Sequence, residues 1–238
     1  MREYSKSEEA TGKTNLYRQR ILALSLPIAA VLYIACEALA PRGSDQIIQT
    51  SSDAYRLLAI ASKHPGQLYL SGALGIVGLG FLIIAYIAIA TLIKSRGAKL
   101  ATIAALIGGI GAFAGAITNV FVFPNLAAAA TAHMTTAAAS QFLVTSFNSG
   151  FCRTFTYIYF LAEYTAPFLM GLALWRSRSV PRWLAVLFFI GLQVAEFQSS
   201  GGPKVILFMS PFAVAMFLLS ARIWKTPSAQ NSRPIKTS

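Results

Sequence analysis

Long apolar runs separated by short polar segments make up most of the chain. A helical run needs about 20 residues to cross about 30 Å of hydrocarbon, and six runs reach or approach that length. The fifth run is the shortest and has to begin in the interface at Val180 and Pro181. The six predicted spans cover residues 21–40, 68–93, 100–123, 154–175, 183–198 and 205–224. The pattern predicts an all-α, polytopic membrane protein built as a six-transmembrane-helix bundle.

Two short helices are expected in the longer loops, one between spans 1 and 2 and one between spans 3 and 4. In "SSDAYRLLAIASKHPG", Ser51 or Ser52 caps a helix that ends before His64. The second stretch, "LAAAATAHMTTAAASQFLVTSF", is long enough to count as a seventh span. We interpret it instead as a helix lying on the outer surface, or dipping in and returning, because a crossing would bring the 15 to 5 bias in lysine and arginine between the two sides to about parity.

Basic residues are distributed unequally between the two sides of this topology. One side collects fifteen of the 20 lysines and arginines, and the other has only Arg42, Arg56, Lys63, Arg153 and Lys204. The positive-inside tendency therefore predicts cytoplasmic amino and carboxyl termini. The predicted domains are an amino-terminal cytoplasmic tail (1–19), the transmembrane domain (20–224) and a disordered cytoplasmic tail (225–238).

Composition agrees with a membrane class and excludes nucleic-acid binding. Hydrophobic residues make up 55% of the chain and charged residues only 12%, about half the fraction typical of a soluble domain. The net charge of +12 comes from short basic runs beside apolar segments. Such runs differ from the clustered basic and aromatic surfaces that bind phosphate backbones, so membrane orientation explains them better.

One carboxylate, Glu163, lies in the middle of the fourth span. It follows Arg153 by ten residues, which places it about 15 Å below the outer boundary, close to the midplane. An isolated charge there costs about 3 kcal/mol or more, so Glu163 pairs, meets water or stays protonated. Pro167, four residues later, lacks the amide that would bond the Glu163 carbonyl. Candidate partners are Tyr159 or Tyr164 on the same span, Asn119 on span 3 and Gln193 on span 5.

Other polar residues lie in the outer third of their spans. The same rise per residue places Glu37, Asn119 and Glu196 there, and Arg153 begins span 4 at that level. Taken singly, each residue is best explained by interfacial snorkelling. Together with Glu163 they predict a cavity that opens outward and narrows toward the midplane. The candidate cavity residues are Glu163, Asn119, Gln193, Glu196, Glu37, Tyr159 and Arg153.

Motifs for metal, cofactor or catalytic chemistry are missing from the sequence. His64 and His133 lie in different loops without HxxxH or HExxH spacing, so neither metal nor cofactor is predicted. Cys36 and Cys152 reach comparable depths, which leaves open a disulfide or two buried thiols. Intramembrane proteolysis needs paired aspartates or a serine with a histidine at depth, and the aspartates lie in a loop.

The segment order resembles a known type of protein. A short basic head is followed by "ALAPRGSD" at the end of span 1, "KHPG" after the outer helix, a Gly-rich second span and the basic hairpin "KSRGAKL". This order is similar to small six-helix bacterial integral membrane proteins of unknown function. The resemblance implies the same topology and carries no active site with it.

The sequence leaves three functional hypotheses. The first is a multi-pass inner-membrane protein that binds or transports a small apolar or cationic solute in an outward-facing cavity around Glu163. The alternative is a non-catalytic accessory or assembly subunit of a membrane complex, and an intramembrane enzyme ranks below both. The expected partners are membrane lipids, a small-molecule ligand, and a membrane-protein partner or a second copy of the chain.

Overall fold

The described part of the chain forms eight helices joined by short connections. A computed structural model describes residues 2–44, 48–94, 96–198 and 202–225, and side chains are described for these except at 2–13 and 194–198. No strand occurs in the described ranges. The helices are α1 (Arg2–Leu39), α2 (Ser51–Ala61), α3 (Pro65–Leu92), α4 (Ala98–Thr131), α5 (Thr136–Asn148), α6 (Gly150–Ser177), α7 (Arg182–Gln198) and α8 (Val205–Lys225).

Six long helices form a closed ring. Going round it, α1 packs on α3, α3 on α4, α4 on α6, α6 on α7, α7 on α8, and α8 returns to α1. Small residues let neighbouring helices approach closely, as at Gly111, where an added Cβ would clash with the Cβ of Ala162. The ring places α1 opposite α6, so side chains of these two helices can meet across its centre.

The two ends of the ring differ in charge and in coverage. At the first end, the Gln19 side-chain amide donates to the carbonyl of Ile223, and the tight turns α3–α4 and α6–α7 lie here; we call it the basic end. At the opposite end, the amide of Gly202 donates to the carbonyl of Glu37 at 3.1 Å. Helices α2 and α5 pack on each other there, and we call it the loop end.

Among the described residues, five helices are long and apolar enough to cross a membrane, and α7 has a shorter apolar stretch, Arg182–Gln193. The chain is thus an all-α protein with the features of a polytopic membrane protein. Large apolar side chains on the outside of the ring fit a lipid environment; Leu161 and Leu207, for example, are 71% and 74% exposed. The predicted spans agree with α1, α3, α4, α6, α7 and α8 to within a few residues, except at two boundaries.

The first exception is the end of α4. The sequence predicted that span 3 stops at residue 123 and that 126–147 forms one separate helix, but α4 continues through Pro124 to Thr131. Pro124 packs against Gly72, where an added Cβ would come within 2.9 Å of the proline ring. That close contact stabilises a helix which proline would otherwise interrupt. The remainder forms α5, whose 13 residues are too few to cross a bilayer.

The second exception is the amino-terminal segment. Within the predicted amino-terminal tail (1–19), residues 2–19 are helical and continue α1 beyond the start predicted for span 1. Of the predicted disordered tail (225–238), Lys225 is the last residue of α8, and residues 226–238 lie outside the described residues.

The loop end has a small core of its own. Helix α2 begins with a capping box in which Thr50 and Asp53 bond each other's backbone amides, so Thr50 is the cap and not the predicted Ser51 or Ser52. Leu57 on α2 and Leu143 on α5 are buried together with the ends of the long helices. This packing holds both short helices over one end of the ring.

Candidate functional site

Glu163 lies inside the ring, on the face of α6 that points toward α1. Its Oε1 accepts hydrogen bonds from the hydroxyls of Tyr159, at 2.6 Å, and Tyr33, at 2.9 Å. Tyr33 is 6% exposed and comes from α1, so the interaction joins opposite sides of the ring. Two phenols thus supply hydrogen-bond donors to one oxygen of an acid that is removed from bulk water.

The three oxygens form a triangle, because the two tyrosine hydroxyls are also 3.0 Å apart. Two phenols supply two hydrogens for three oxygen–oxygen contacts. When both hydrogens point to Oε1, as suits an ionised carboxylate, the hydroxyls of Tyr33 and Tyr159 face each other without a hydrogen between them. A protonated Glu163 is a weaker hydrogen-bond acceptor than the carboxylate. One tyrosine hydroxyl can then donate its hydrogen to the other. The arrangement can therefore respond to a proton by rotating hydroxyl groups alone.

The backbone around Glu163 is supported from α7. Pro167 lies within α6 and leaves the carbonyl of Glu163 without its usual helical donor. The side-chain amide of Gln193 donates to that carbonyl at 3.4 Å. Gln193 thus acts on the backbone of Glu163, while the two tyrosines bond its carboxyl group.

A cavity of about 400 Å³ lies on the loop-end side of this cluster. Tyr33 and Tyr159 line it, and their hydroxyls connect it to Glu163, which is not itself part of the lining. The wall combines aromatic rings with polar groups, and further lining residues are Glu37, Asn119, Thr118, Thr156, Arg153, Phe160 and Tyr164. Its size falls within the range of about 300–1,000 Å³ usual for small-molecule sites.

Glycines on α3 and α4 make room for the polar residues. A Cβ at Gly115 would lie 2.6 Å from the ring of Tyr159, so only glycine allows that ring to lie against α4. A Cβ at Gly75 would lie 2.6 Å from the amide nitrogen of Asn119 and 2.8 Å from the sulfur of Cys36. The small-residue spacing on these helices therefore serves the site as well as helix packing.

Two polar groups at the cavity differ in how they are held. Arg153 donates to the side-chain oxygen of Asn148 at 2.8 Å, which fixes its guanidinium near the start of α6. The side-chain oxygen of Asn119 is buried without a hydrogen-bond partner in the described part of the chain. A buried acceptor of this kind is costly unless a ligand or water supplies a donor.

The two cysteines are free and buried. Cys36 lies beside Ser71, whose hydroxyl donates to the Cys36 carbonyl at 2.7 Å. Cys152 belongs to the cavity wall. Of the two alternatives left open by the sequence, the structure has the thiols and not the disulfide. No group of three His, Cys, Asp or Glu side chains converges within the described residues.

Comparison with known families identifies the chain. The family model described as "Domain of unknown function (DUF4386)" matches residues 20–226. The chain belongs to the DUF4386 family. The matched region of this DUF4386 protein begins within α1, ends one residue after α8, and contains every residue of the site. Comparisons with curated proteins and with solved structures returned no match.

Most of the residues predicted from the sequence of this DUF4386 protein lie around one cavity. Asn119, Glu37, Tyr159 and Arg153 line it, and Glu163 lies beneath it. Gln193 lies on the other side, against the backbone of α6. The predicted residue Glu196 falls where side chains are outside the described set.

Sequence reasoning missed Tyr33. It is 130 positions from Glu163 along the chain, so no helical spacing links the two residues. The available signal was a tyrosine in the apolar middle of span 1. At about 1.5 Å per residue, Tyr33 lies near the middle of span 1, close to the depth of Glu163.

Proposed function

We propose that this protein crosses the cytoplasmic membrane of a bacterium six times, with both termini in the cytoplasm. The sixth crossing is α7, whose 17 residues reach about 26 Å, slightly less than the hydrocarbon thickness. Its position in the ring between α6 and α8 supports a full crossing. The basic end, with fifteen of the chain's lysines and arginines on its side of the topology, faces the cytoplasm. The bacterial location rests on the resemblance found in the sequence.

We further propose that the cavity binds, and in the course of transport releases, a small organic solute. One observation carries this proposal: a cavity of about 400 Å³ at the loop end reaches two tyrosines that both donate to Glu163. A carboxylate kept only for helix packing does not require an open cavity above it. The unpartnered oxygen of Asn119 also favours a ligand that brings a hydrogen-bond donor.

The chemistry of the wall favours a cation with an apolar body. The rings of Tyr159, Phe160 and Tyr164 offer faces that attract cations, and Glu37 adds a carboxylate at the same cavity. Arg153, the lining residue of opposite charge, keeps its charge, and its bond to Asn148 holds the guanidinium near the start of α6. The solute is accordingly a lipophilic amine or quaternary cation, and the Glu163 cluster below offers a place for the proton exchanged against it.

Binding of a probe cation tests the proposal. Purified protein is titrated with tetraphenylphosphonium, using wild type, Tyr159→Phe, Glu163→Gln and the control Tyr69→Phe, a tyrosine 45% exposed on α3 and away from the cavity. We expect saturable binding in wild type and Tyr69→Phe. The two site variants should bind several-fold more weakly. Equal binding by all four proteins, or none by wild type up to millimolar probe, would contradict the proposal.

A second readout separates transport from a packing role for Glu163. In proteoliposomes carrying a pH gradient, uptake of the probe should follow the gradient for wild type and become independent of it for Glu163→Gln. A packing hydrogen bond survives this substitution, because glutamine still accepts from both tyrosines. Unchanged gradient-dependent uptake by Glu163→Gln would therefore refute coupling through this residue.

A further inference from the structure

The three tryptophans of the chain all lie at the basic end. Trp175, Trp183 and Trp224 are 42%, 57% and 50% exposed, so their rings project outward from the bundle. Two of them carry a cation over the ring face, with Arg182 5.2 Å from the Trp175 centroid and Arg20 5.5 Å from the Trp224 centroid. Tryptophan with nearby cations is typical of the headgroup level of a bilayer. The pairs therefore mark where phospholipid headgroups meet this protein.

At this level a cleft of about 810 Å³ opens between α3, α7 and α8. Its polar rim is formed by Lys94, Arg222 and Lys225, together with the hydroxyl-bearing Ser179. No acidic residue occurs among the described residues that line it. Three cations on one cleft attract an anion far more strongly than scattered surface charges do.

The inner wall of the cleft is apolar. Leu92, Leu184 and Leu218 line it, and Trp183 borders its opening. The cleft thus combines a cationic rim at the basic end with apolar side chains that lie farther along α7 and α8 from that end. A free inorganic anion would use only the rim, whereas an amphiphile with an anionic head uses both parts.

We propose that this cleft is a binding site for an anionic phospholipid. The phosphate contacts Lys94, Lys225 and the guanidinium of Arg222, which suits phosphate oxygens because of its planar donor geometry. One acyl chain lies along Leu92 and Leu218, the less buried leucines of the lining, and Trp183 packs beside the glycerol region. The site is separate from the cavity above Glu163, lies at the opposite end of the ring, and does not depend on solute binding there.

Native mass spectrometry of the full chain with defined lipids tests the proposal. The protein is titrated in detergent with phosphatidylglycerol, with phosphatidylcholine of the same acyl chains, and with inorganic phosphate. The site variant is Lys94→Gln with Lys225→Gln. The matched control is Arg96→Gln with Lys99→Gln, which removes two exposed cations of the same end that do not line the cleft.

We expect one phosphatidylglycerol to bind wild type and control more tightly than phosphatidylcholine does. A cation near an anionic lipid contributes about fivefold in affinity, so the site variant should bind roughly 25-fold more weakly. A second site variant, Lys94→Arg with Lys225→Arg, should retain binding because the charge is kept.

Several results would overturn the proposal. Equal weakening in the site and control variants would reduce the effect to general surface charge. Equal binding of both lipids by wild type would remove the role of the cations. Competition by millimolar inorganic phosphate as effective as that of the lipid would identify a free-anion site instead.

Discussion

The hydrogen bond from Tyr159 to Glu163 gives a quantitative prediction. Tyr159→Phe removes one hydroxyl and keeps the ring that lies against Gly115. A bond to an ionised acceptor contributes about 1.5–3 kcal/mol to stability. Side-chain bonds between uncharged groups in membrane proteins average about 0.6 kcal/mol. The size of the effect therefore reports whether Glu163 is ionised when the two tyrosines surround it.

The 2.6 Å distance between the Tyr159 hydroxyl and Glu163 Oε1 is typical of a bond to a carboxylate. We accordingly expect Tyr159→Phe to cost about 1.5–3 kcal/mol, or about 3–12 °C in Tm for a chain of this size. In the Glu163→Gln background the same substitution should cost only about 0.6 kcal/mol. The coupling energy between the two positions is then about 1–2 kcal/mol.

Thermal unfolding of the four proteins in one detergent measures this cycle, with Tyr33→Phe as a second donor and Tyr69→Phe as the control. Tyr33→Phe should behave like Tyr159→Phe, because both hydroxyls donate to the same oxygen. The reasoning would be refuted if Tyr159→Phe were no more destabilising than Tyr69→Phe. It would also be refuted if Tyr159→Phe cost the same with and without the carboxylate.

Two further predictions concern a glycine and a helix cap. Gly75→Ala should destabilise the protein by about 1–3 kcal/mol, because its Cβ would lie 2.6 Å from the Asn119 amide. Gly80→Ala, where no atom lies within 4 Å of the added Cβ, should stabilise the protein by about 0.5–1 kcal/mol. Unfolding curves of the two variants and wild type measure both effects. Hydrogen bonds from the Thr50 hydroxyl and amide lower the pKa of Asp53 below its usual 3.8. The ionised Asp53 therefore stabilises α2 fully above pH 3.8, and this stabilisation is lost as the pH falls through the lowered pKa. Amide-exchange protection of α2 should decrease in that pH range in wild type and stay constant in Asp53→Asn.

The sequence predicted most of the helices because apolar run length is a strong signal. Helix ends were less predictable, since they depend on contacts made elsewhere. Pro124 ended the predicted third span, yet α4 passes through it because Gly72 on α3 accommodates its ring. Thr50 caps α2 one residue before the predicted cap, a difference set by the side chain of Asp53.

For the site, the sequence predicted how deep each polar residue lies along its span. It predicted only partly the direction in which each side chain points around the helix axis. The number of residues from the span ends predicted the same depth for Asn119, Glu37 and Arg153. In the structure these three residues line one cavity. The pairing of Glu163 with Tyr33 depends on which helices face each other across the ring, which a single sequence does not encode in local spacing. The sequence contained part of the evidence for the role of Gln193. Pro167 leaves the carbonyl of Glu163 without its helical donor, and Gln193 bonds that carbonyl.

The account depends most on a water-accessible cavity that leads from the loop end to Glu163. Thiol labelling measures this accessibility directly. In a background with Cys36→Ala and Cys152→Ala, Thr156→Cys places a thiol on the cavity wall and Leu161→Cys places one on the outer face of the same helix.

In oriented vesicles, a membrane-impermeant charged methanethiosulfonate is added from the loop-end side. A water-accessible cavity predicts rapid labelling of Thr156→Cys, slowed by bound tetraphenylphosphonium, and little labelling of Leu161→Cys. Labelling of Thr156→Cys no faster than that of Leu161→Cys, or only from the basic end, would contradict it.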